Sequence, residues 1–371
     1  MHLAFVDFIY HYDAARPDTD EPLGGTTSAI CFLAREMVQN GIACTFFNRV
    51  AAPCHAHGIT SLPLQNLGDE IERGGYDAYI FCGRWTAELV GLVRKHTQAP
   101  LIAWMHESVF AAPMTPALAD FDGVVFVSEW QQRINQQAAL PNWKQAVIRN
   151  AMNPLVATSL AANEPVLAAK CTPPVLLFIG SFARGAFHIP PLIEKIRAER
   201  SDFSVEMFCN LNPSHDAARD AAYVGWLREQ PNIAHIGMVG QPALTRHMRR
   251  ASILLAPNPW PETSCIALIE SLASGMTAVT TNRAALPETG AGFARQILIE
   301  DPDEPARFDM PVDYDAFATA VLDALHMREK HPDELEERLR RQVDFFLANY
   351  QWAGRVAPWV EFIEGVRNKE T

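Results

Sequence analysis

Two glutamates in one short stretch are the residues whose types and spacing most directly suggest chemistry. Glu262 and Glu270 are separated by seven residues. On a helix, at ~100° per residue, that spacing leaves the two side chains ~80° apart around the axis. Carboxylates placed in this way are suited to accept hydrogen bonds from the hydroxyls of a ribose and a sugar. A solvated acidic helix face is the alternative interpretation of the pair.

The stretch 253–288 that contains them predicts a strand, a loop, a helix and a second strand. The apolar run 253–256 is typical of a buried parallel strand. Thr263 or Ser264 is expected to cap the helix, and Gly275 is expected to end it. The loop therefore lies at the carboxyl end of a parallel strand, which is where open α/β sheets bind ligands.

Two features of this half of the chain are suited to a phosphate. The backbone amides of Ser264, Cys265 and Ile266 are expected to face outward at the start of the helix. The turn 180–185, which contains Arg184 and follows a strand-like run, has the spacing of two glycines that is found in a P-loop. The turn lacks the lysine that a P-loop requires, and no dinucleotide-binding G-x-G-x-x-G follows either opening strand.

The first half of the chain adds two candidates. Gly24, Gly25 and Thr26 precede an amphipathic run over 28–39, so the glycine pair can open a helix with accessible amides beside a phosphate or a sugar. A plain turn between a strand and a helix is the alternative. His106 follows a strand-like run and is expected at the ligand-binding edge of the sheet, although a buried structural histidine would satisfy the same pattern.

Strand-like and helical runs alternate along the whole chain, which predicts doubly wound α/β sheets. At 371 residues the chain is long enough for two domains. The proline-bearing segment 160–174 is the predicted linker between a first domain over 1–165 and a second over 172–350.

Composition limits the class of function. The chain is 49% apolar, and its net charge of −12 argues against a nucleic-acid binder, because neutralising phosphates requires a basic face. Its seven cysteines are scattered and typical of reduced thiols in a cytoplasmic protein. Neither the Cys-His-Ala-His run at 54–57 nor the Asp-x-Asp triplets at 18–20, 120–122 and 301–303 are expected to bind a metal. No signal peptide or membrane span is predicted, and contact with a membrane surface stays open.

The glutamate segment resembles the E-x7-E donor-binding segment of retaining GT-B glycosyltransferases, in particular glycosyltransferase family 4. The run from Trp104 to Glu107 and the pair Arg149 and Asn150 are similar to that family in the correct order. One departure is that this family often has glycines where the chain has Thr263 and Cys265. The resemblance implies two Rossmann-like domains facing a central cleft, with a helix over 352–371 packing back on the first domain.

The resemblance also implies roles for individual residues. Glu270 would hold the nucleotide ribose, Glu262 would contact the donor sugar, and His106 would contact the sugar near its reacting carbon. Arg184 would be one member of a cationic pair on the diphosphate, with Ser181 standing where the family has the other. The remaining donor-binding residues implied are Gly24, Gly25, Thr26, Asn210, Ser264, Cys265 and Ile266.

The sequence therefore predicts a metal-independent retaining glycosyltransferase with no bound cofactor. Its partners would be a nucleotide diphosphate sugar, as hexosyl donor, and a saccharide, lipid-linked or small-molecule acceptor. The leaving phosphate would itself deprotonate the acceptor. Two alternatives stay open, a nucleotide-sugar epimerase on the same fold and a non-catalytic nucleotide-sugar-binding protein.

Overall fold

The computed structural model describes residues 1–108, 115–136, 143–161, 164–210, 217–305 and 310–368. The chain forms two compact units. Unit 1 contains Met1–Ala151 together with Tyr350–Thr371, and unit 2 contains Met152–Asn349. Each unit is built on its own sheet with helices around it.

Across the described residues the chain has fourteen β-strands. In chain order they are β1 (His2–Val6), β2 (Ala43–Asn48), β3 (Cys54–Ala56), β4 (Ile59–Pro63), β5 (Ala78–Cys82), β6 (Leu101–Trp104), β7 (Gly123–Phe126), β8 (Lys144–Val147), β9 (Val175–Ile179), β10 (Ser204–Phe208), β11 (Ile233–His235), β12 (Ile253–Ala256), β13 (Thr277–Thr281) and β14 (Arg295–Ile297).

The same residues contain thirteen α-helices. They are α1 (Gly25–Gln39), α2 (Leu67–Arg73), α3 (Ala87–His96), α4 (Glu129–Asn135), α5 (Pro154–Ala157), α6 (Ile189–Glu199), α7 (Ala217–Arg228), α8 (Gln241–Arg250), α9 (Ile266–Ala273), α10 (Leu286–Gly290), α11 (Tyr314–Lys330), α12 (Pro332–Asn349) and α13 (Ala353–Arg367).

Unit 1 has an eight-stranded sheet in the order β3-β4-β2-β1-β5-β6-β7-β8. All neighbours are parallel except β3 and β4, an edge hairpin that the sequence did not predict. Because β1 pairs with β2 on one side and with β5 on the other, the strand order reverses beside β1. The carboxyl ends of β1 and β5 therefore form the switch point at which ligands of such sheets bind.

Unit 2 has a six-stranded, all-parallel sheet in the order β11-β10-β9-β12-β13-β14. Here β9 pairs with β10 and β12, so the switch point lies at the carboxyl ends of β9 and β12. Strands such as β9 are apolar along almost their whole length because helices cover both faces of the sheet. The prediction of doubly wound α/β sheets is confirmed in both units.

The last helix, α13, packs within unit 1. The rings of Trp359 and Trp104 meet edge to face with centroids 5.2 Å apart, and both side chains are buried. Arg355 Nε donates to the carbonyl of Arg149 at 2.8 Å. A side chain at Gly123 would lie 2.9 Å from the ring of Phe362, so this helix needs a glycine on β7 to approach the sheet.

The division between the units differs from the expected boundary at residue 165. The segment after Ala151 belongs to unit 2 because its side chains pack there: Leu160 and Val166 lie in a cluster with Leu335 and Leu339 of α12. Residues 162 and 163 of the expected linker lie outside the described part of the chain. Residues 369–371, at the end of the expected last helix, also lie outside it.

Candidate functional site

Arg184 and Glu262 come together at the switch point of unit 2. Arg184 lies in the turn that follows β9, and Glu262 lies in the loop that follows β12, the neighbouring strand. The guanidinium Nη1 donates to Glu262 Oε1, and it also lies over the ring of Trp260 at 5.7 Å from the centroid. The carboxylate side chain is 7% exposed and the arginine side chain 38% exposed, so the cation is the solvent-facing partner.

Gly185 allows the two loops to approach each other. Its φ is +107°, a conformation that residues with a side chain rarely adopt. A Cβ at this position would lie only 2.5 Å from the carbonyl oxygen of Pro257, at the start of the loop after β12. The glycine therefore brings the Arg184 turn into contact with the Glu262 loop.

A second donor reaches the same carboxylate oxygen. Asn258 Nδ2 donates to Glu262 Oε1 at 2.9 Å, and the Asn258 side chain is almost fully buried. Among the described residues, none donates a hydrogen bond to Glu262 Oε2. Glu262 is therefore held through one oxygen, which leaves the other available as an acceptor.

Residues at the end of β13 and just after it hold the Glu262 loop. Thr281 Oγ1 donates to the carbonyl of Asn258 at 2.7 Å, and the amide of Ala285 donates to the carbonyl of Glu262 at 3.0 Å. The buried Arg283 joins Pro259 to a second loop, because its guanidinium donates to the carbonyls of Pro259, at 3.1 Å, and Pro302, at 2.7 Å. The sequence interpretation missed Arg283, although its place directly after a predicted strand end was a usable signal.

The helix start differs from the expected one. α9 begins at Ile266, and its N-cap is Cys265 in the left-handed conformation at φ 57°, so neither Thr263 nor Ser264 caps it. Because Glu262 precedes the helix, the ~80° angle estimated from a continuous helix does not apply. A glycine would adopt the left-handed conformation of this N-cap with less strain than Cys265 does.

The amides at this helix start are open. Among the residues that the structure describes, no carbonyl accepts a hydrogen bond from the amides of Ser264, Cys265 or Ile266. Thr289 Oγ1 donates to the carbonyl of Ser264 at 2.6 Å, which fixes the peptide that precedes the helix. Open amides of a fixed loop at a helix N-terminus can bind an anion.

Glu270 lies inside α9 and belongs to a separate hydrogen-bond network. Its Oε1 accepts the amide of Asn153 at 3.0 Å, and Asn153 Nδ2 donates to Gln241 Oε1 at 3.1 Å. Burial raises the pKa of Glu270 to about 7, while the Asn153 amide opposes that shift. A carboxyl with this pKa can accept a hydrogen bond when ionised and donate one when protonated.

Asn210 follows β10, the strand beside β9. It is half-buried, and no hydrogen bond to its side chain is formed by the described residues. Ser181, where the resembling family has a second cation, lies in the Arg184 turn, and its carbonyl accepts the amide of Arg184 at 3.0 Å. The structure therefore brings together Arg184, Glu262 and the 264–266 amides on adjoining loops.

The candidates of unit 1 lie at its own sheet edge. Gly24 is the N-cap of α1 in an extended conformation (φ −75°, ψ 158°), and a Cβ there would meet nothing within 4 Å. The space in front of this helix start is open, which suits the close approach of a ligand. Thr26 lies near Gly83, after β5: its Cγ2 is 3.7 Å from where a Gly83 Cβ would stand.

His106 follows β6, as predicted, and its ring lies 4.8 Å from that of Trp104. Burial lowers the pKa of His106 to about 3, so the imidazole is neutral at physiological pH. Gln131 of α4, which is fully buried, holds this loop: its Nε2 donates to the carbonyl of Glu107 at 2.6 Å. The sequence interpretation missed Gln131 because a glutamine inside a short helix carries no local signal of a distant partner.

Two further observations concern metals and membranes. In the described part of the chain, no three His, Cys, Asp or Glu side chains are grouped as metal ligands. Around the Cys-His-Ala-His run, His57 Nε2 instead contacts Asp18 Oδ2 at 2.8 Å and His55 Nδ1 contacts Thr60 Oγ1 at 3.3 Å. None of the helices among the described residues has the length and hydropathy needed to cross a bilayer.

Comparison with known proteins bears on the fold. No family model and no curated protein sequence matches this chain. Solved structures do match it over their full length. A glycosyltransferase from Rickettsia africae has a TM-score of 0.72 at 13% identity, covering 98% of each chain. Sucrose-phosphate synthase from Thermosynechococcus elongatus has a TM-score of 0.69 at 14% identity, covering 99% of each chain.

A third match is HepE from Anabaena in complex with UDP and glucose. Its TM-score is 0.68 at 10% identity, and the match covers 98% of this chain and 100% of that one. Each of the three matches covers at least 98% of this chain and therefore extends over both of its units. The fold is therefore the GT-B fold, as the sequence predicted.

Proposed function

We propose that this protein is a glycosyltransferase that moves a hexosyl unit from a nucleotide diphosphate sugar to an acceptor. One observation carries the proposal: a guanidinium (Arg184), a carboxylate with one open oxygen (Glu262) and the open amides of 264–266 occupy adjoining loops at the switch point of unit 2. Cation and amides are suited to a diphosphate, and the carboxylate to a sugar hydroxyl. HepE, which shares the fold, binds UDP and glucose.

The reaction follows from the charges that this site offers. The bond between the anomeric carbon and the diphosphate oxygen breaks, and the nucleoside diphosphate leaves with the electron pair. Arg184 and the 264–266 amides stabilise the negative charge that grows on the leaving oxygen. The acceptor oxygen forms the new bond to the anomeric carbon, and its proton passes to the leaving phosphate.

The two glutamates orient the donor. Glu262 Oε2 accepts a hydrogen bond from a hydroxyl of the sugar, and Glu270 binds the ribose. Holding both rings supplies part of the rate enhancement, because a fixed geometry removes the entropy cost of alignment. In unit 1, His106 is proposed to offer a neutral hydrogen-bonding ring to a substrate hydroxyl. The helix start at Gly24, Gly25 and Thr26 is proposed to offer amides to a substrate.

Retention of configuration is part of the proposal, and the E-x7-E resemblance supports it. The reaction is also proposed to need neither a metal ion nor a bound cofactor, because a guanidinium and helix amides would stabilise the charge on the diphosphate. The acceptor is a saccharide, a lipid-linked saccharide or a small molecule.

A nucleotide screen tests the proposal. Ligands that bind the native state raise Tm, so UDP, GDP, UDP-hexoses and GDP-hexoses are compared by thermal shift. The stabilising nucleotide sugar is then incubated with an acceptor panel, with and without EDTA, and NMR identifies the anomeric configuration of the product. We expect sugar transfer with retention of the anomeric configuration, both with and without EDTA. Epimerised sugar from the donor alone, or nucleotide binding without turnover, would contradict the proposal.

A further inference from the structure

Asn258 holds one carboxylate oxygen of Glu262 and is itself held by three further hydrogen bonds. Its Nδ2 donates to Glu262 Oε1 at 2.9 Å, and its Oδ1 accepts the amide of Trp260 at 2.9 Å. Its carbonyl accepts Thr281 Oγ1 at 2.7 Å, and its amide donates to the carbonyl of Ala256 at 2.8 Å. Every polar group of this residue is engaged, so the amide side chain cannot rotate without losing a hydrogen bond.

Burial makes these hydrogen bonds costly to lose. Asn258 is 4% exposed and Glu262 6% exposed, so little water can replace a lost hydrogen bond at either residue. Arg184 alone would not orient the carboxylate as firmly, because its side chain is 38% exposed and long. The buried amide and the guanidinium converge on Oε1, and Oε2 receives no donor from the described residues.

We propose that Asn258 is a positioning residue, which holds Glu262 so that Oε2 is presented to the donor sugar. The inference rests on the proposed function, since it assigns a supporting residue to that same site. Asn258 itself touches neither the sugar nor the diphosphate. Its loss would misorient Glu262 while leaving the 264–266 amides and Glu270 in place, so transfer should suffer more than nucleotide binding.

A serine at position 258 separates positioning from folding. The Ser hydroxyl can accept the amide two residues ahead, as Asn258 Oδ1 does, but it is too short to reach Glu262. Asn48 provides a matched control in unit 1. It is fully buried, its Oδ1 accepts the amide of Val50 at 3.0 Å, and its Nδ2 donates to the carbonyl of Tyr12 at 2.8 Å. Asn48→Ser therefore removes an equivalent hydrogen bond far along the chain from Glu262.

The swapped pair Asn258→Asp with Glu262→Gln is the second arm. In the single variant Glu262→Gln, Asn258 turns the Gln oxygen inward, so an NH₂ group faces the sugar instead of an acceptor. In the swapped pair, the carboxylate introduced at position 258 accepts from the Gln NH₂, which turns the Gln oxygen toward the position of Oε2. Net charge at the two positions also returns to that of the wild type.

The experiment measures kcat and KM with UDP-glucose, or with the nucleotide sugar that stabilises the wild type, and Kd for the free nucleoside diphosphate. We expect Asn258→Ser to lower kcat about tenfold, the value of one hydrogen bond to a charged group, and to change the nucleotide Kd less than about threefold. Asn48→Ser should lower Tm but keep kcat within about twofold of the wild-type value. The swapped pair should have a kcat at least about fivefold higher than that of Glu262→Gln.

Equal losses of kcat in Asn258→Ser and Asn48→Ser would overturn the inference, as would a nucleotide Kd that worsens as much as kcat. A swapped pair no better than Glu262→Gln would also overturn it. Where Asn258→Ser does not fold, as judged by circular dichroism, the comparison of the swapped pair with Glu262→Gln decides. If the wild type neither binds UDP or GDP nor transfers any sugar, the proposed function is what fails, and the inference falls with it.

Discussion

The Arg184 guanidinium is paired with Glu262 Oε1 although the two residues are 78 positions apart in the chain. The pair has a chemical consequence, because the cation expected to meet a diphosphate is held by the carboxylate expected to meet the sugar. Diphosphate binding must therefore draw Arg184 away from Glu262 or share it between two anions. Arg184 is the solvent-facing partner at 38% exposed, and Glu262 keeps its hydrogen bond from Asn258, so the guanidinium can make this exchange.

Glu262→Gln should therefore strengthen binding of free UDP, or of GDP if that is the donor nucleotide, while it weakens transfer. The substitution releases Arg184 and removes a negative charge near the diphosphate, which corresponds to about a two- to fivefold lower Kd. Isothermal titration calorimetry at constant ionic strength measures the effect. Arg184→Gln is the opposite control and should weaken the same binding. UDP affinity that is unchanged or lower in Glu262→Gln would refute the exchange.

Glu270 should give unit 2 a pH-dependent stability. The folded protein raises the pKa of Glu270 from 4.5 to about 7, so it binds more protons than the unfolded chain between these values. The contribution of Glu270 to stability is therefore full below about pH 4.5 and is lost as pH rises to about 7. Glu270→Gln should gain stability relative to wild type by about 1–3 kcal/mol between pH 5 and pH 8.

Urea unfolding at pH 5 and pH 8 measures that difference. Glu334→Gln, on the exposed face of α12, is the control for the loss of one carboxylate at the protein surface. The same stability difference between Glu270→Gln and wild type at both pH values would contradict the proposed burial of a titrating carboxyl.

Gly185→Ala should destabilise unit 2 and displace Arg184. The new Cβ would stand 2.5 Å from the carbonyl of Pro257, at a φ of +107°. Left-handed strain alone costs ~1–2 kcal/mol, and the clash with rigid backbone adds to it. Gly24→Ala is the matched control, because its φ is −75° and its Cβ would meet nothing within 4 Å.

Thermal unfolding should therefore show a lower Tm for Gly185→Ala and a smaller decrease for Gly24→Ala, where alanine is only a poorer N-cap than glycine. UDP affinity should fall in Gly185→Ala, since the Arg184 turn can no longer contact the Glu262 loop. Equal Tm values for the two variants would show that the two loops do not depend on the close approach.

His106 should remain neutral across the pH range in which the protein is folded. Burial lowers the pKa of His106 to about 3, so its ring carries no charge above about pH 5. We expect the ¹³C NMR signal of His106, assigned by its loss in His106→Asn, to stay constant from pH 5 to pH 8. Free histidine in the same buffer is the reference. A shift midway through this range would show that His106 titrates there, which would contradict the lowered pKa.

Much of the fold and part of the site could be predicted from local sequence. The strand-like run predicted before the turn 180–185 is β9, and Gly275, at φ +70°, follows the last turn of α9 as expected. The loop after β12 was also placed correctly at the carboxyl end of a parallel strand. Apolar runs, glycines and prolines act within a few residues, so the sequence determines these features by itself.

The tertiary structure alone decided how the candidate residues are arranged. The pairing of Arg184 with Glu262 and the support of the His106 loop by Gln131 join distant parts of the chain. The start of α9 at Ile266 depends on a turn that Thr289 and Ala285 hold from another helix. Such contacts depend on the register of strands and on packing, and these arise only when remote segments meet. Sequence therefore determined the strands, helices and loop positions, and tertiary packing determined which oxygen, amide and cation can act together.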